Sequence, residues 1–328
     1  MMQKGIHNDL YPKLTVLTEL NYNDLTTEIL PNGPYAVARS LLEGLKKINV
    51  HFNYNPQSLS EVEEVVVVLS GFAALNKAID WKCRGRIKKL LAGPNVAALP
   101  SWITCLPNWN RIDLCLHPCQ WTIDWWKSID PGFNIPLRIW AAGVNTEFWQ
   151  PPQNKARQKN VLIYKKTCPE DLFQSCIGAI ANKDWTVSII EYGHYSHDEY
   201  KTKLAQSDLA VFLSESESQG LAMFECWSCD VPTLIWDRGF FEWQGYSDKA
   251  SAGPYLSDLT GIRFIGAEEL AASLQHMLDN LDTFQPRLWI LNNGSDEVSA
   301  LNLLKIINSL ETPKRTLLQN LSSILQRN

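Results

Sequence analysis

The sequence contains no long hydrophobic run and no excess of charge of one sign. No apolar stretch approaches the ~20 residues that a transmembrane helix needs, and residues 1–13 lack the apolar segment of a signal peptide. The chain carries 30 Lys and Arg residues against 35 Asp and Glu residues, which argues against a surface for nucleic acid. No basic amphipathic helix indicates membrane attachment either. We therefore expect a cytoplasmic protein without a nucleic-acid partner, whose membrane contact is at most peripheral.

The chain also lacks the clusters of cysteine and histidine that bind zinc. Its eight cysteines are scattered through 328 residues. Cys226 and Cys229 lie three apart and Cys115 and Cys119 four apart, but no group of histidines accompanies either pair. A chain of this size does not need disulfide bonds, so we expect reduced and mostly buried thiols. The sequence predicts no metal site.

What the chain does contain is a regular alternation of strand-like and helix-like segments. Val65–Leu69 is a short, continuous run of apolar residues, typical of a strand buried on both faces of a parallel sheet. Such an alternation predicts βαβ units, and a polar segment with prolines, 146–159, interrupts it before it begins again. We expect an α/β protein of two Rossmann-like domains, residues 1–148 and 149–328, whose parallel sheets face across a cleft. Residues 237–260 are rich in Gly, Ser and Asp and are expected to form a loop.

One βα corner of the second domain has features that suit a phosphate-bearing ligand. A strand-like run, Leu209–Leu213, leads through a polar turn with a single glycine, Gly220, into a helix that begins at Leu221. Glycine lets backbone approach a ligand closely, and the free amides of a helix start attract anions. Glu217 in the turn and Glu225 in the helix bracket this point. The alternative is an ordinary βα corner with two solvated glutamates.

Four motifs resemble those of GT-B glycosyltransferases of the retaining family 4 type. The family's E-x7-E signature is matched, position for position, by Glu217, Gly220, Leu221, Glu225, Cys229 and Pro232. The other three are Ala142–Phe148, which resembles N-G-V-D-x-x-x-F, Asn32–Pro34, which resembles a Gly-rich loop, and His117–Trp121, which resembles the P-S-x-W/F junction. They follow the order of the family's motifs around the linker between its domains.

The resemblance implies how a nucleotide-sugar donor binds. The amides near Gly220 and Leu221 would bind the diphosphate of the donor. Glu225 would accept hydrogen bonds from the ribose hydroxyls, a charge-assisted pairing. Glu217 would contact the donor sugar near the anomeric carbon, as a catalytic residue.

The same resemblance assigns further residues. Lys165 and Lys166 end the first strand of the second domain and would neutralise the leaving diphosphate, although a solvated basic pair is the alternative. Gly193 matches a glycine before the base-binding segment, and Gly33 belongs to the Gly-rich loop on the donor side. Where the family usually has a histidine at a strand end of the first domain, this chain offers Asn95. Asn95 would take the place of that catalytic residue as a neutral hydrogen-bond partner.

The resemblance implies a glycosyltransferase of the hexosyltransferase type that retains the anomeric configuration. No Asp-x-Asp triplet occurs in the chain, so we expect metal independence, unlike the metal-bridged sites of the other major glycosyltransferase fold. The nucleotide-sugar is a substrate, and no cofactor is implied. The acceptor is a saccharide, lipid or protein that would contact first-domain loops such as 21–32 and 96–111. A catalytically impaired nucleotide- or sugar-binding protein of the same fold is the alternative, and a sugar epimerase is a third hypothesis.

Overall fold

The computed structural model describes residues 11–20 and 33–310, and its strands form two parallel sheets and one hairpin. The strands of the first sheet are β1 (Leu14–Leu17), β2 (Phe52–Tyr54), β3 (Val65–Ser70), β4 (Lys89–Asn95), β5 (Leu114–His117) and β6 (Leu137–Ile139). They lie in the order β2-β1-β3-β4-β5-β6, and each neighbouring pair is parallel.

Seven further strands follow along the chain, and five of them form the second sheet. The seven are β7 (Asn160–Lys165), β8 (Thr186–Glu191), β9 (Leu209–Leu213), β10 (Thr233–Trp236), β11 (Phe240–Trp243), β12 (Tyr246–Lys249) and β13 (Gly261–Phe264). The sheet order is β13-β10-β9-β7-β8, again all parallel, whereas β11 and β12 pair only with each other and are antiparallel.

Helices connect the strands and cover the sheets. They are α1 (Gly33–Lys47), α2 (Phe72–Cys83), α3 (Pro100–Thr104), α4 (Gln120–Ile129), α5 (Glu170–Ala181), α6 (His197–Ala205), α7 (Leu221–Ser228), α8 (Ala267–Asp279), α9 (Pro286–Asn293) and α10 (Asp296–Ser309). Within the described part of the chain, none of them is both long and apolar enough to cross a membrane.

The hydrophobic pattern explains why these elements form. All six residues of β3 are buried, because a parallel sheet carries helices on both faces. In α1 the apolar residues Val37, Leu41 and Leu45 recur every four positions and enter the core beside β1 and β3. The prediction of two α/β domains with parallel sheets is confirmed. The first domain is the layer structure around the β1–β6 sheet, and the second is the one around the five-stranded β13-β10-β9-β7-β8 sheet.

The hairpin of β11 and β12 lies where the sequence predicted a loop. It extends from the second domain onto the first, where Phe241 is buried in the core and its ring meets that of Trp125 at a centroid distance of 5.0 Å. Ser128 on α4 also donates a hydrogen bond to the Asp248 carboxylate, at 2.5 Å. The prediction of an irregular loop over 237–260 was therefore wrong for the hairpin, and a strap of the second domain is attached to the first.

Helix α10 follows the second domain in sequence but packs on the first. Leu303, Leu304 and Ile307 enter the core that β1, β3 and α1 build. The backbone of Gly44 in α1 lies so close to the Asp296 carbonyl that a side chain at Gly44 would collide with it. The sequence-based division of the chain between residues 148 and 149 remains a prediction.

Candidate functional site

A cleft of about 640 Å³ lies between the two domains, at the carboxyl ends of their strands. From the first domain, β4 contributes Asn95 and β5 contributes His117. From the second domain come Lys166, just after β7, and the turn between β9 and α7, with Glu217 and Gly220. Ligands of doubly wound α/β folds bind at this edge of the sheet. The predicted cleft is confirmed.

The turn between β9 and α7 presents unpaired amides to the cleft. Gly220 has φ 83° and ψ 57°, a left-handed conformation that only glycine adopts without strain, and it is the N-cap of α7. Leu221 and Ala222 line the cleft. Among the described residues no side chain caps the helix, and its first turn contains no acidic residue. The amide of Met223 donates to Gly220 O at 3.0 Å, but those of Leu221 and Ala222 have no acceptor in the described part of the chain. These two amides therefore remain available to an anion, with the positive end of the helix dipole behind them.

An ion pair crosses the second-domain side of the cleft. Lys166 Nζ donates a hydrogen bond to Glu217 Oε1 at 2.9 Å, and the same ammonium lies 4.8 Å from the centre of the Tyr192 ring. The backbone of Glu217 is fixed on both sides, since its amide donates to Ser251 O at 3.0 Å and its carbonyl accepts from Trp121 Nε1 at 2.9 Å. Glu217 and Lys166 are thus brought together, at a point where the first domain touches the turn.

Glu225 is a buried carboxyl group that receives no hydrogen bond from the described part of the chain. It lines the cleft with 9% of its surface exposed, and within residues 11–20 and 33–310 no group donates a hydrogen bond to its carboxylate. Burial raises the pKa of Glu225 to about 8, although the nearby Arg39 cation acts in the opposite direction. A carboxylate here gains from any ligand that brings hydroxyl donors.

The remaining residues assigned from the sequence divide into two groups. Asn95 and Gly33 line the cleft on the first-domain side. Lys165 does not line it: its ammonium binds Glu170 Oε2 at 2.8 Å on the other side of β7, and this partner raises the pKa of Lys165. Gly193 is an exposed residue with φ 83° outside the cleft lining. We therefore leave Lys165 and Gly193 out of the site.

Two residues of the site were not assigned a role from the sequence. Gln219 is buried and forms a pair of hydrogen bonds with the backbone of Ala142, accepting at 3.0 Å and donating at 2.6 Å, so that the turn is fastened to the end of the first-domain segment. His117 is buried at the end of β5, and its Nε2 has no hydrogen-bond partner among the described residues. The described residues contain no group of three or more His, Cys, Asp or Glu side chains arranged to hold a metal ion.

No protein-family model matches this chain. No curated protein sequence matches it either. Solved structures do resemble it. Sucrose-phosphate synthase from Thermosynechococcus elongatus superposes with a TM-score of 0.58 at 10% identity, over 91% of this chain and 99% of that one. The Anabaena protein HepE in complex with UDP gives 0.60 at 11% identity, over 91% and 100%.

A third similar structure is the UDP-GlcNAc 2-epimerase of Methanocaldococcus jannaschii, with a TM-score of 0.50 at 12% identity, over 90% of this chain and 99% of that chain. At such identities the likeness establishes the fold, which is GT-B, with its two parallel-sheet domains.

Proposed function

We propose that this chain is a glycosyltransferase that transfers a sugar from a nucleotide-sugar to an acceptor, with retention of the anomeric configuration and without a metal ion. The observation that carries the proposal is the corner at Glu217–Glu225. It combines, in one cleft, the ion pair of Lys166 and Glu217 with a helix start and a buried carboxyl group for which the described residues provide neither a cap nor a donor. Similar structures include HepE with UDP bound, which supports a uridine nucleotide as the first ligand to test.

Each part of a nucleotide-sugar has a counterpart in this corner. The diphosphate would lie on the amides at Leu221 and Ala222, where the helix dipole favours negative charge. The ribose would extend toward Glu225, whose carboxylate accepts hydrogen bonds from two adjacent hydroxyls. The donor sugar would lie against Glu217, on the side of the cleft that faces Asn95.

The transfer needs a cation at the leaving group, and Lys166 is placed to supply it. Its ammonium has three protons, of which one is donated to Glu217 Oε1. The other two are able to bind phosphate oxygens as negative charge develops there. In the proposed reaction the bond between the anomeric carbon and the phosphate oxygen breaks. The acceptor oxygen forms its bond on the same face, and its proton passes to the leaving phosphate.

A nucleotide-binding protein without transferase activity is the second candidate. It is favoured by Asn95, which lines the cleft where the resemblance leads us to expect a histidine. An amide offers a hydrogen bond but does not titrate. Both candidates require the same donor site, and only the transfer step separates them.

The experiment that tests the donor site is a calorimetric titration of the purified chain with UDP, GDP and ADP. We expect one of them to bind, and Glu225→Gln to weaken it by about tenfold or more, because a charged acceptor of two hydroxyl groups is lost. Glu215→Gln is the matched control, since this glutamate lies in the same turn, is 43% exposed and is absent from the cleft lining. Equal affinities for the two variants would remove Glu225 from the site.

Turnover distinguishes the two candidates. Incubation of the chain with the nucleotide-sugar of the preferred base should release free nucleotide slowly through hydrolysis, even without an acceptor. The released sugar should keep its anomeric configuration, as observed by NMR, and excess EDTA should not change the rate. Nucleotide binding with no release of nucleotide, with or without a panel of acceptors, would favour the binding protein.

A further inference from the structure

The hairpin of β11 and β12 presents one aromatic face to the first domain. Neighbouring side chains on a strand point to opposite faces, and residues paired directly across two strands share a face. Four side chains therefore lie together on one face of the hairpin: Phe241, Trp243, Tyr246 and Asp248. Phe241 on this face is buried in the first-domain core, whereas its neighbour Phe240, on the opposite face, is 39% exposed.

Helix α4 presents a matching row of side chains to this face. Trp121, Trp125 and Ser128 follow one another at intervals of four and three residues, which places them on one face of a helix. The centre of the Phe241 ring lies 5.3 Å from that of Trp121, and the centre of the Trp243 ring lies 6.0 Å from that of Trp125. Aromatic pairs attract each other at such distances. The aromatic face of the hairpin is therefore docked on α4.

A buried carboxylate closes the base of the hairpin. Asp237 is 4% exposed, and its Oδ1 accepts hydrogen bonds from the amides of Gly239 and Ala252, each at 3.1 Å. Its Oδ2 accepts a hydrogen bond from the hydroxyl of Ser251 at 2.7 Å. The amide of Ala250 also donates to Gly239 O at 3.1 Å, which joins the same two segments. Because the segments before and after the hairpin form one unit, Ser251 moves with the hairpin.

This unit and α4 hold the backbone of Glu217 from opposite domains. The amide of Glu217 donates to Ser251 O at 3.0 Å, and its carbonyl accepts from Trp121 Nε1 at 2.9 Å. Trp121 is also a residue on which Phe241 packs. The contacts form a closed ring that runs from Glu217 through Ser251 and the hairpin to Phe241, and returns through Trp121. Release of the hairpin from α4 would let the two groups that hold Glu217 move relative to each other.

The nucleotide end of the proposed donor site has a different support. Glu225 lies in the second turn of α7, whose buried side chains, among them Phe224 and Trp227, pack in the core of the second domain. The amides of Leu221 and Ala222 begin the same helix. The two ends of the donor site should therefore respond differently when the hairpin is loosened.

We infer that Phe241 and Trp121 are positioning residues for the reaction: by docking the hairpin on α4 they fix the backbone of Glu217 and so align its carboxylate at the sugar end of the donor site. The inference rests on the proposed function, in which Glu217 contacts the donor sugar. The alignment matters because a displacement of about 1 Å near a reacting centre lowers the rate by about 100-fold. Nucleotide affinity depends on α7 and does not share this requirement.

The first test separates turnover from binding in the full chain. Phe241→Ala and Trp121→Phe are compared with the wild type for kcat of nucleotide-sugar hydrolysis and, by calorimetry, for UDP affinity. We expect kcat to fall by about 10- to 100-fold in each variant, while the Kd for UDP stays within about threefold. Phe241→Leu keeps most of the apolar contact and should restore most of kcat. Phe240→Ala, on the opposite face of the same strand, is the matched control and should keep the wild-type kcat.

Combined variants show whether the hairpin acts through Glu217. In a Glu217→Gln background, Phe241→Ala should hardly change the residual kcat, because the group that it positions is already lost. Phe241→Ala combined with Trp121→Phe should be about as slow as the slower single variant. Losses of kcat that multiply in both combinations, or equal losses of kcat and of UDP affinity, would contradict a positioning role.

Hydrogen exchange tests the same contacts without catalysis. The amide of Glu217 is bonded to Ser251 O, and its exchange is followed in the ligand-free chain. Phe241→Ala should speed this exchange by about tenfold or more and leave the amides of β9 unchanged, whereas Phe240→Ala should affect neither. Unchanged exchange at Glu217 in Phe241→Ala would overturn the inference even if kcat falls. A chain that hydrolyses no nucleotide-sugar would overturn the proposed function, and the exchange result would still decide whether the hairpin positions Glu217.

Discussion

The affinity of the cleft for a nucleotide should depend on pH through Glu225. Burial raises the pKa of this carboxyl group to about 8 in the empty cleft, so at pH 7 about nine molecules in ten carry it protonated. Ribose hydroxyl groups that donate to the carboxylate stabilise the charged form, and they therefore lower its pKa in the complex. Binding then removes a proton from Glu225, and affinity must rise with pH until the free group is ionised, near pH 8.

The magnitude follows from that pKa. Each pH unit below 8 costs about 1.36 kcal/mol, or tenfold in affinity, until the pKa of the complex is reached. Between pH 9 and pH 6.5 the dissociation constant for UDP should increase by about 30-fold, or about 2 kcal/mol. At pH 7 binding should release close to one proton, which calorimetry in buffers of different ionisation enthalpy measures directly.

Glu225→Gln removes this titration and keeps the shape of the side chain. Its UDP affinity should be weak and nearly constant from pH 6.5 to pH 9, whereas Glu215→Gln should keep the wild-type slope. The nucleotide's own phosphate titrates equally with all three proteins and cancels in the comparison. A UDP affinity that falls as the pH rises would mean that the protonated carboxyl group donates a hydrogen bond to the ligand. The same pH dependence in the wild type and both variants would show that Glu225 does not contact UDP.

Three further outcomes are expected. Lys166→Ala should slow release of the nucleotide by about 100-fold, because a cation at the leaving phosphate is lost, while Lys165→Ala, one residue away and bound outside the cleft, should keep the wild-type rate in the same hydrolysis assay. Burial raises the pKa of Asp296 to about 7 in the folded protein, so folding favours the protonated carboxyl group. The contribution of Asp296 to stability is therefore complete below its unfolded pKa near 4 and is lost as the pH rises to 7. The free energy of unfolding in urea is measured for the wild type and for Asp296→Asn, and the wild-type value minus the variant value should fall by about 4 kcal/mol from pH 4 to pH 8. A difference that does not change with pH would contradict the burial effect. Gly220→Ala should cost about 1–2 kcal/mol in thermal unfolding and weaken UDP binding, because it forces a left-handed residue at the helix start; Gly178→Ala, in mid-helix with free space around it, should be neutral or stabilising.

The sequence was sufficient for most strands and for the corner at the centre of the site. Leu209–Leu213 and the helix from Leu221 have the predicted limits, because a continuous apolar run, a glycine and a new apolar pattern are all local signals. The hairpin had a local signal too. Gln244 and Gly245 both have positive φ, as a two-residue hairpin turn requires, and aromatic residues flank them. The Gly, Ser and Asp content of the surrounding segment obscured that signal.

The rest depended on contacts between distant parts of the chain. Lys165 and Lys166 are neighbours of the same type, and only the pleat of β7 and its exit decide that one binds Glu170 and the other Glu217. The raised pKa of Glu225 and the unpaired nitrogen of His117 are consequences of burial, which a sequence pattern does not specify for a polar residue. The helix pattern of α10 likewise shows an apolar face and does not reveal which domain it covers.

The placement of α10 has a consequence for synthesis of the protein. The core between β1, β3 and α1 is completed by Leu303, Leu304 and Ile307, which are translated after the whole second domain. While the chain grows, the apolar groove on α1 must stay uncovered, so the first domain is the last to close even though its strands are the first made. We expect nascent chains that end before α10 to depend on chaperones and to be cleaved by proteases within the first domain.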